Sequence, residues 1–320
     1  MAFKYYSGIM VQLVPTYTDE GDIADWTCNN TAVAGKVRLD KYIGTSTSVY
    51  VPRLNGNTLL SSSALRDHSE IVSVDCQNVP PSGTTLSFYN CTNLKSVTNM
   101  HDSISGMGRA FQYCYNFNYP VKLPQNTVNM DGTFFNCSSL NSPISIPGKV
   151  QQMYQAFSYC FAFNQPITIP NSVTNISECF WNSTSFNQPM NIPDSVIDMR
   201  GTFWNCYSLN QPITIGNGLN LTMFRAFSDC NNLNSPITIG TGVTNLQYAF
   251  LNCSDFSSTV TIYSTEVTNT LNMFNGTSKP KEVQIYYKYA NGTNTKTYNS
   301  IIGRNGKNGV TIYDLGIAPW

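Results

Sequence analysis

Apolar positions along this chain recur with a long period. From Phe88, the residues Phe111, Phe134, Phe157, Phe180 and Phe203 follow at intervals of 23, and Phe227, Phe250 and Phe274 follow at 24, 23 and 24. Leu65, 23 residues before Phe88, fills the same slot as a degenerate first member. Three further ladders keep step with these anchors. Six residues on come Ile71, Leu94, Phe117, Leu140, Phe163, Phe186, Leu209, Leu233 and Phe256. Ten and twelve on come apolar pairs such as Ile144/Ile146, Ile167/Ile169, Ile213/Ile215 and Ile237/Ile239. Nineteen on stand Met130, Met153, Ile176, Met199 and Leu246. A unit this short cannot bury its own apolar side chains, so successive units must stack and share one core.

Polar punctuation assigns the elements. The apolar pairs sit in period-two triplets bounded by Pro or Gly, as in Pro166-Ile167-Thr168-Ile169-Pro170. Such a triplet reads as a short strand, with prolines at ends where no ladder donor is needed. One strand per unit predicts a parallel sheet along the array. The segment around each anchor, Met153-Tyr154-Gln155-Ala156-Phe157 for example, is expected as a short helical or 3-10 turn on the opposite side. The expected fold is a repeat solenoid of about ten turns over residues 65–280. Residues 36–64 are expected as capping strands, and 1–35 as an N-terminal arm. Residues 281–320 carry Asn291-Gly292 between apolar runs, a hairpin signal, and are expected as a C-terminal β-hairpin cap or docking element.

Ten cysteines would suit a disulfide framework, but their placement argues otherwise. Cys91, Cys114, Cys137, Cys160, Cys206, Cys230 and Cys253 all stand three residues after an anchor, where other units have His68, Ser183 and Thr277. This is the small, weakly polar ladder position that leucine-rich repeats fill with Asn or Cys. Reduced thiols serve there as small buried hydrophobes. No Cys-x-x-Cys pair suggests a metal site.

The repeats resemble the BspA-like leucine-rich repeats of bacterial and protozoan surface proteins. The resemblance is carried by Phe163-Asn164-Gln165-Pro166-Ile167, Phe186-Asn187-Gln188-Pro189-Met190 and Leu209-Asn210-Gln211-Pro212-Ile213, and by the preceding Ala-Phe-x-x-Cys elements. Val37-Arg38-Leu39 and Val49-Tyr50-Val51-Pro52 look like the strand pair that opens such arrays. The resemblance covers about residues 36–280. It implies a surface-displayed binding protein and brings no catalytic residues with it.

Composition narrows the function classes. Hydrophobic residues make up 41% of the 320, enough for a continuous core, while charged residues make up only 11%. Eighteen basic residues balance eighteen acidic ones, so no net field favours nucleic acid or an anionic membrane. No apolar run approaches the length of a membrane span, and residues 1–14 do not read as a secretion signal. Two histidines, His68 and His101, offer little acid–base chemistry, and His68 fills a ladder slot. No nucleophile grouping, phosphate-binding loop or metal-ligand cluster appears, so neither an enzyme nor a cofactor or metal is expected.

The remaining constellation is aromatic. Phe135, Trp181 and Trp204 stand one residue past an anchor, and Tyr115, Phe161 and Tyr207 one past the Cys slot. Equivalent slots in adjacent units should place Trp181 beside Trp204. Such rings could stack on a sugar or bury against a partner, although packing of the convex side explains them equally simply and is favoured. In the arm, Phe3, Tyr5, Tyr6 and Trp26 carry more aromatic surface than a free tail should expose, which suggests attachment.

Two functions compete. The first is a bacteriophage virion surface protein: a head fibre, decoration or tail adhesion component, contacting other virion proteins or itself as a homo-oligomer. The alternative is a secreted or cell-surface adhesin. Either one could engage a host-surface glycan or protein.

Overall fold

The computed structural model describes residues 2–6, 9–13, 26–30, 37–51, 58–60, 63–77, 85–264, 266–277, 282–287 and 311–317. Side chains are described from residue 40 on, outside the strands at 58–60, 282–287 and 311–317. Strand β1 (Ala2–Tyr6) pairs antiparallel with β2 (Ile9–Leu13) as a sheet of two. Strand β3 (Trp26–Asn30) lies antiparallel to β4 (Val37–Tyr42). The next two strands, β5 (Ser48–Tyr50) and β6 (Thr58–Leu60), go different ways. β6 adds in parallel to β4, whereas β5 opens a parallel sheet with β7 (Ser73–Asp75) and β8 (Ser96–Thr98). The two strands expected to open the array as a pair therefore belong to separate sheets.

From Leu65 on, the chain is a parallel β-solenoid of about nine turns. The sequence predicts ten because it contains ten anchors, Leu65 to Phe274, and ten anchors bound nine complete coils. Inside, the anchors form one file of stacked rings. Phe134, Phe157 and Phe180 have centroids 5.4 and 5.6 Å apart, and Phe157 also lies 4.9 Å from Phe163 of the second file. The Met and Ile ladder nineteen residues on is equally buried, as at Met130, Met153, Ile176 and Met199. One continuous core runs from Tyr42 to Phe274.

The expected helical turn around each anchor does not form; among the described residues there is no helix. The coil of Phe157 shows why. Ala156, Ser158, Cys160 and Phe163 donate their N–H groups to the carbonyls three residues earlier. Met153, Gln155, Phe157 and Tyr159 instead donate to the next coil, at Asn175, Ser177, Cys179 and Trp181. Alternate donors therefore point in different directions, which an α- or 3-10 helix cannot arrange. Gln155 and Tyr159 have φ of 54° and 59°, as the third position of a type II β-turn requires. The equivalent position two residues past the anchor is held by Asn90, Asn136, Asn182, Asn205 and Asn252 and by Asp67 and Asp229, all with positive φ. Asn and Asp tolerate that left-handed conformation best after glycine.

The strand face differs from expectation in its middle. Strands β9 (Met190–Ile192) and β10 (Ile213–Ile215) pair in parallel. After the two-residue β11 (Leu221–Thr222), β12 (Ile237–Ile239) continues that ladder; then come β13 (Val243–Asn245), which pairs with β11, and β14 (Thr259–Ile262), which pairs with β12. Yet Ile144–Ile146 and Ile167–Ile169, buried or nearly so, make no strand ladder. The cause is the residue thirteen past each anchor. Gly216, Gly240 and Tyr263 each donate an N–H to the preceding coil, at Ile192, Ile215 and Ile239 (2.8–2.9 Å). Pro147, Pro170 and Pro193 occupy that slot in the earlier coils and have no proton to give. A second line of parallel bridges runs through the proline region, joining Gly106, Asn129, Gln152, Asn175, Asp198 and Thr222 in turn.

At the far end, β15 (Glu282–Tyr287) and β16 (Thr311–Ile317) extend the sheet of β14 in parallel, giving the order β16-β15-β14-β12-β10-β9. The Asn291-Gly292 hairpin lies outside the described residues.

Candidate functional site

All nine cysteines whose side chains are described are free and buried. Each ladder thiol donates to the anchor carbonyl of the coil before: Cys114 to Phe88 (3.1 Å), Cys137 to Phe111 (3.0 Å), Cys160 to Phe134 (3.1 Å) and Cys206 to Phe180 (3.0 Å). Cys91, Cys230 and Cys253 repeat the bond to Leu65, Phe203 and Phe227, and Ser183 makes it with its hydroxyl to Phe157. The slot therefore demands a small side chain with one proton to donate. Burial pushes the Cys91 and Cys253 thiols up to about 12, which keeps them neutral and unreactive. His68, in the same slot, is buried with Nδ1 2.5 Å from Glu70 Oε1 and its ring edge-on to Tyr42. No group of three or more His, Cys, Asp or Glu among the described residues could hold a metal.

The aromatic residues form a ridge on the outside of the anchor corner. It runs one ring per coil through Tyr89, Tyr113, Phe135, Tyr159, Trp181 and Trp204, with successive centroids 4.9 to 5.7 Å apart. At the spacing of paired strands it is about 24 Å long. Where two rings share a slot they stack: Trp181 and Trp204, both one past an anchor, lie 14° from parallel. Where the slot alternates between one and two past the anchor the rings turn edge-to-face or tilt, as at Tyr113–Phe135 (87°) and Phe135–Tyr159 (47°). Both arrangements suit the ring quadrupole.

Each end of the ridge carries a guanidinium. Arg66 lies 4.5 Å from the centre of the Tyr89 ring, and Arg225 lies 5.4 Å from the rings of Trp204, Phe224 and Tyr248 alike. Trp204 is held from behind by Nε1 donating to Asp229 Oδ2 at 3.1 Å. Asp229 is in turn fixed by Ser228 (2.7 Å) and Asn252 (2.8 Å). Burial, reinforced by the Glu178 carboxylate, raises the Tyr159 phenol above its usual range, so it stays uncharged at neutral pH.

Of the six site residues expected from sequence, the structure brings five together. Trp181, Trp204 and Phe135 are members of the ridge and half-buried. Tyr115 and Phe161 flank it, 6.2 Å from Tyr113 and 6.0 Å from Tyr159, and are about 40% exposed. Tyr207 is equally exposed but has no aromatic neighbour among the described residues. Sequence reasoning missed Tyr89, at the end of the ridge, Tyr113 and Tyr159, which close the gaps between the others, and both arginines. For Tyr113 and Tyr159 the signal was present: tyrosine in the slot two past the anchor that Asn and Asp otherwise hold. Phe3, Tyr5 and Tyr6 lie in β1 and Trp26 in β3, and their side chains lie outside the described residues.

These features define a leucine-rich-repeat solenoid whose outer surface carries an ordered aromatic array. Residues 84–192, 107–214, 151–242 and 193–287 match the family described as Mycoplasma protein of unknown function, DUF285, and the chain belongs to that family. Among curated proteins none matches. Among solved structures, a leucine-rich repeat protein from Bacteroides ovatus shares the fold (TM-score 0.61, 17% identity, covering 94% of this chain and 79% of that one). A leucine rich repeat protein of T. pallidum (TM-score 0.41, 19% identity, 67% and 91%) is more distantly similar. So is a leucine rich cell surface protein from Faecalibacterium prausnitzii (TM-score 0.36, 21% identity, 90% and 98%).

Proposed function

We propose that this chain is a non-enzymatic bacterial surface adhesin whose aromatic ridge is its binding face. The observation that carries the reading is the unbroken file from Tyr89 to Trp204, closed by a guanidinium at each end. A core does not need it: the anchors and the second Phe file already fill the interior. Aromatic and Arg side chains held rigid at a surface are what dominate protein-binding energetics. The family and the shared bacterial fold support display on a cell, and they move the weight from a virion to a bacterial surface. The virion reading rests on composition and on the terminal segments alone.

Two measurements test this. Antibody raised to the chain should label intact producing cells; labelling only after lysis would overturn surface display. Beads coated with the purified chain should attach to cultured host epithelial cells, and the double variant Trp181→Ala/Trp204→Ala should lose most of that attachment while keeping its far-ultraviolet spectrum. Undiminished attachment would remove the ridge as the binding face.

A further inference from the structure

Eleven or twelve positions along each coil from the ridge, on the strand face, the slot thirteen past the anchor changes character. Pro124, Pro147, Pro170 and Pro193 run in file, and then the file breaks at Gly216 and Gly240 before resuming with Tyr263. A recess of about 660 Å³ lies at the break, with Gly216 and Gly240 in its floor, Tyr263 on one side, and Pro193 on the other with Asn171 of the coil before beyond it. Neither glycine is there for a left-handed backbone, since neither has positive φ. Both are there for space: a Cβ on Gly216 would lie 2.5 Å from Asp194 Oδ1, and one on Gly240 would lie 2.3 Å from the Gly216 carbonyl.

The walls have a consistent chemistry. Thr214 and Thr238 present hydroxyls from β10 and β12, and Asn191 an amide from β9. Asp194 Oδ1 accepts the Asn217 N–H at 2.8 Å, and Asn217 Oδ1 accepts the Thr241 N–H at 2.9 Å, so both side chains are pinned in place. That leaves Asp194 Oδ2, the Asn217 amide nitrogen and the two threonine hydroxyls without a partner among the described residues. Among the described residues no Lys or Arg lines the recess.

We propose that this recess binds one neutral hexopyranose unit of a glycan. Three features select that class. Pro193 and Tyr263 are three coils apart, which after subtracting the two ring walls leaves a span on the order of 10 Å, that of a pyranose with its hydroxyls. Tyr263 brings an aromatic side chain to the lining, the type that packs on a sugar's C–H surface, and a carboxylate oxygen with flanking amides and hydroxyls matches vicinal diols, which are both donors and acceptors. The absence of any lining cation disfavours sugar acids and phosphosugars, whose charge would meet only Asp194. The site is separate from the aromatic ridge and stands whether or not the ridge is the adhesive face.

Saturation-transfer NMR on the full chain, with the methyl glycosides of glucose, galactose, mannose and N-acetylglucosamine as probes, tests this. At least one glycoside should show transfer, strongest at its ring protons, with millimolar affinity. Asp194→Asn, which keeps the acceptor for Asn217, and Tyr263→Ala should each weaken it about tenfold. Thr214→Tyr fills the recess from an exposed strand position and should abolish transfer, while Trp204→Ala should leave it unchanged. No transfer to any of the four, or transfer that survives Thr214→Tyr, overturns the proposal. Loss in Trp204→Ala with Tyr263→Ala unaffected would move sugar binding to the ridge and equally overturn it.

Discussion

Asn164 explains why its motif has an Asn. Its Oδ1 accepts the N–H of Asn187 (2.9 Å), whose Oδ1 accepts that of Asn210 (2.9 Å), and Asn141, Asn118 and Asn234 continue the file. The Phe-Asn-Gln-Pro signature is thus a side-chain ladder in a stretch where proline denies the backbone one. Asn164→Ala leaves the Asn187 N–H without that acceptor and should cost about 1 kcal/mol, measured by urea denaturation; Asn164→Asp, which keeps the acceptor, should cost less. The thiol ladder makes a second residue-level prediction. Burial raises the thiol pKa from 9.0 to about 12 at Cys91 and Cys253, and raises it at the others as well. The folded thiols therefore keep protons that the unfolded chain gives up. Stability is intact below pH 9 and falls as pH rises from about 9 towards 12, by up to about 1.4 kcal/mol per pH unit for each thiol. With nine such thiols, unfolding should become steeply alkaline-sensitive above pH 9. A midpoint in urea that is flat from pH 8 to about 10.5 would contradict this. The ladder itself was legible in sequence, because Ser183 and Thr277 share its slot; the bond it makes was not, because the acceptor is a backbone carbonyl 26 residues away.

At the scale of one coil, the sequence shows which strand-side residues are buried, but neither the loss of the ladder at Ile144–Ile146 and Ile167–Ile169 nor the conformation of the anchor side. Period-two triplets report directly on which face is buried, and Ile213 and Ile215 are inward as expected. The anchor corner has the spacing of apolar residues that a helix would also show. What separates the two is the conformation of residues such as Gln155, Glu178, Arg225 and Tyr248, all with positive φ. Nothing in those residue types signals it; only the Asn, Asp and Gly of the companion slots do. Coil-to-coil contact is closest at a second glycine row, where a Cβ on Gly218 would lie 1.9 Å from the Val196 carbonyl. Gly148, by contrast, has nothing within 4 Å of such a Cβ. Gly218→Ala should therefore lower stability by about 1–3 kcal/mol or more, while Gly148→Ala should be neutral to slightly stabilising. Equal effects in thermal melts would show that the coils can separate to make room.

For the whole molecule, stability is the sum of coil and interface contributions, so the middle of the stack is its weakest point to attack. Phe157 touches Phe134, Phe180 and Phe163. Phe157→Ala should cost about 3–5 kcal/mol and split one unfolding transition into two, as hydrogen exchange would resolve. A loss under about 1 kcal/mol would mean that Phe157 is not a core anchor. The ends were the least legible part, because they depart from the repeat that made the rest readable. The pairing of β1 with β2 as a sheet of their own is compatible with an attachment role for residues 1–35. If they attach the chain to a larger assembly, deleting residues 1–30 should leave a folded, soluble protein that no longer associates; unfolding of the truncated chain would make the arm a lid.

The direction of the corner hydrogen bonds bears on how the chain is made. Gln155 waits for Ser177, Phe157 for Cys179 and Tyr159 for Trp181, each donor satisfied by a carbonyl only 22 residues later. At about 5–20 residues per second of synthesis, that delay is roughly 1–4 s. Every coil leaving the ribosome is completed by the one behind it and needs nothing further downstream. Ribosome-stalled chains lengthened one coil at a time should thus gain protease resistance in steps of one coil, the array zipping from its N-terminal side as it is translated. The same arithmetic makes a coil a heritable unit: duplicating or deleting one leaves every donor with an acceptor at the same separation, so this stack can change length without being redesigned.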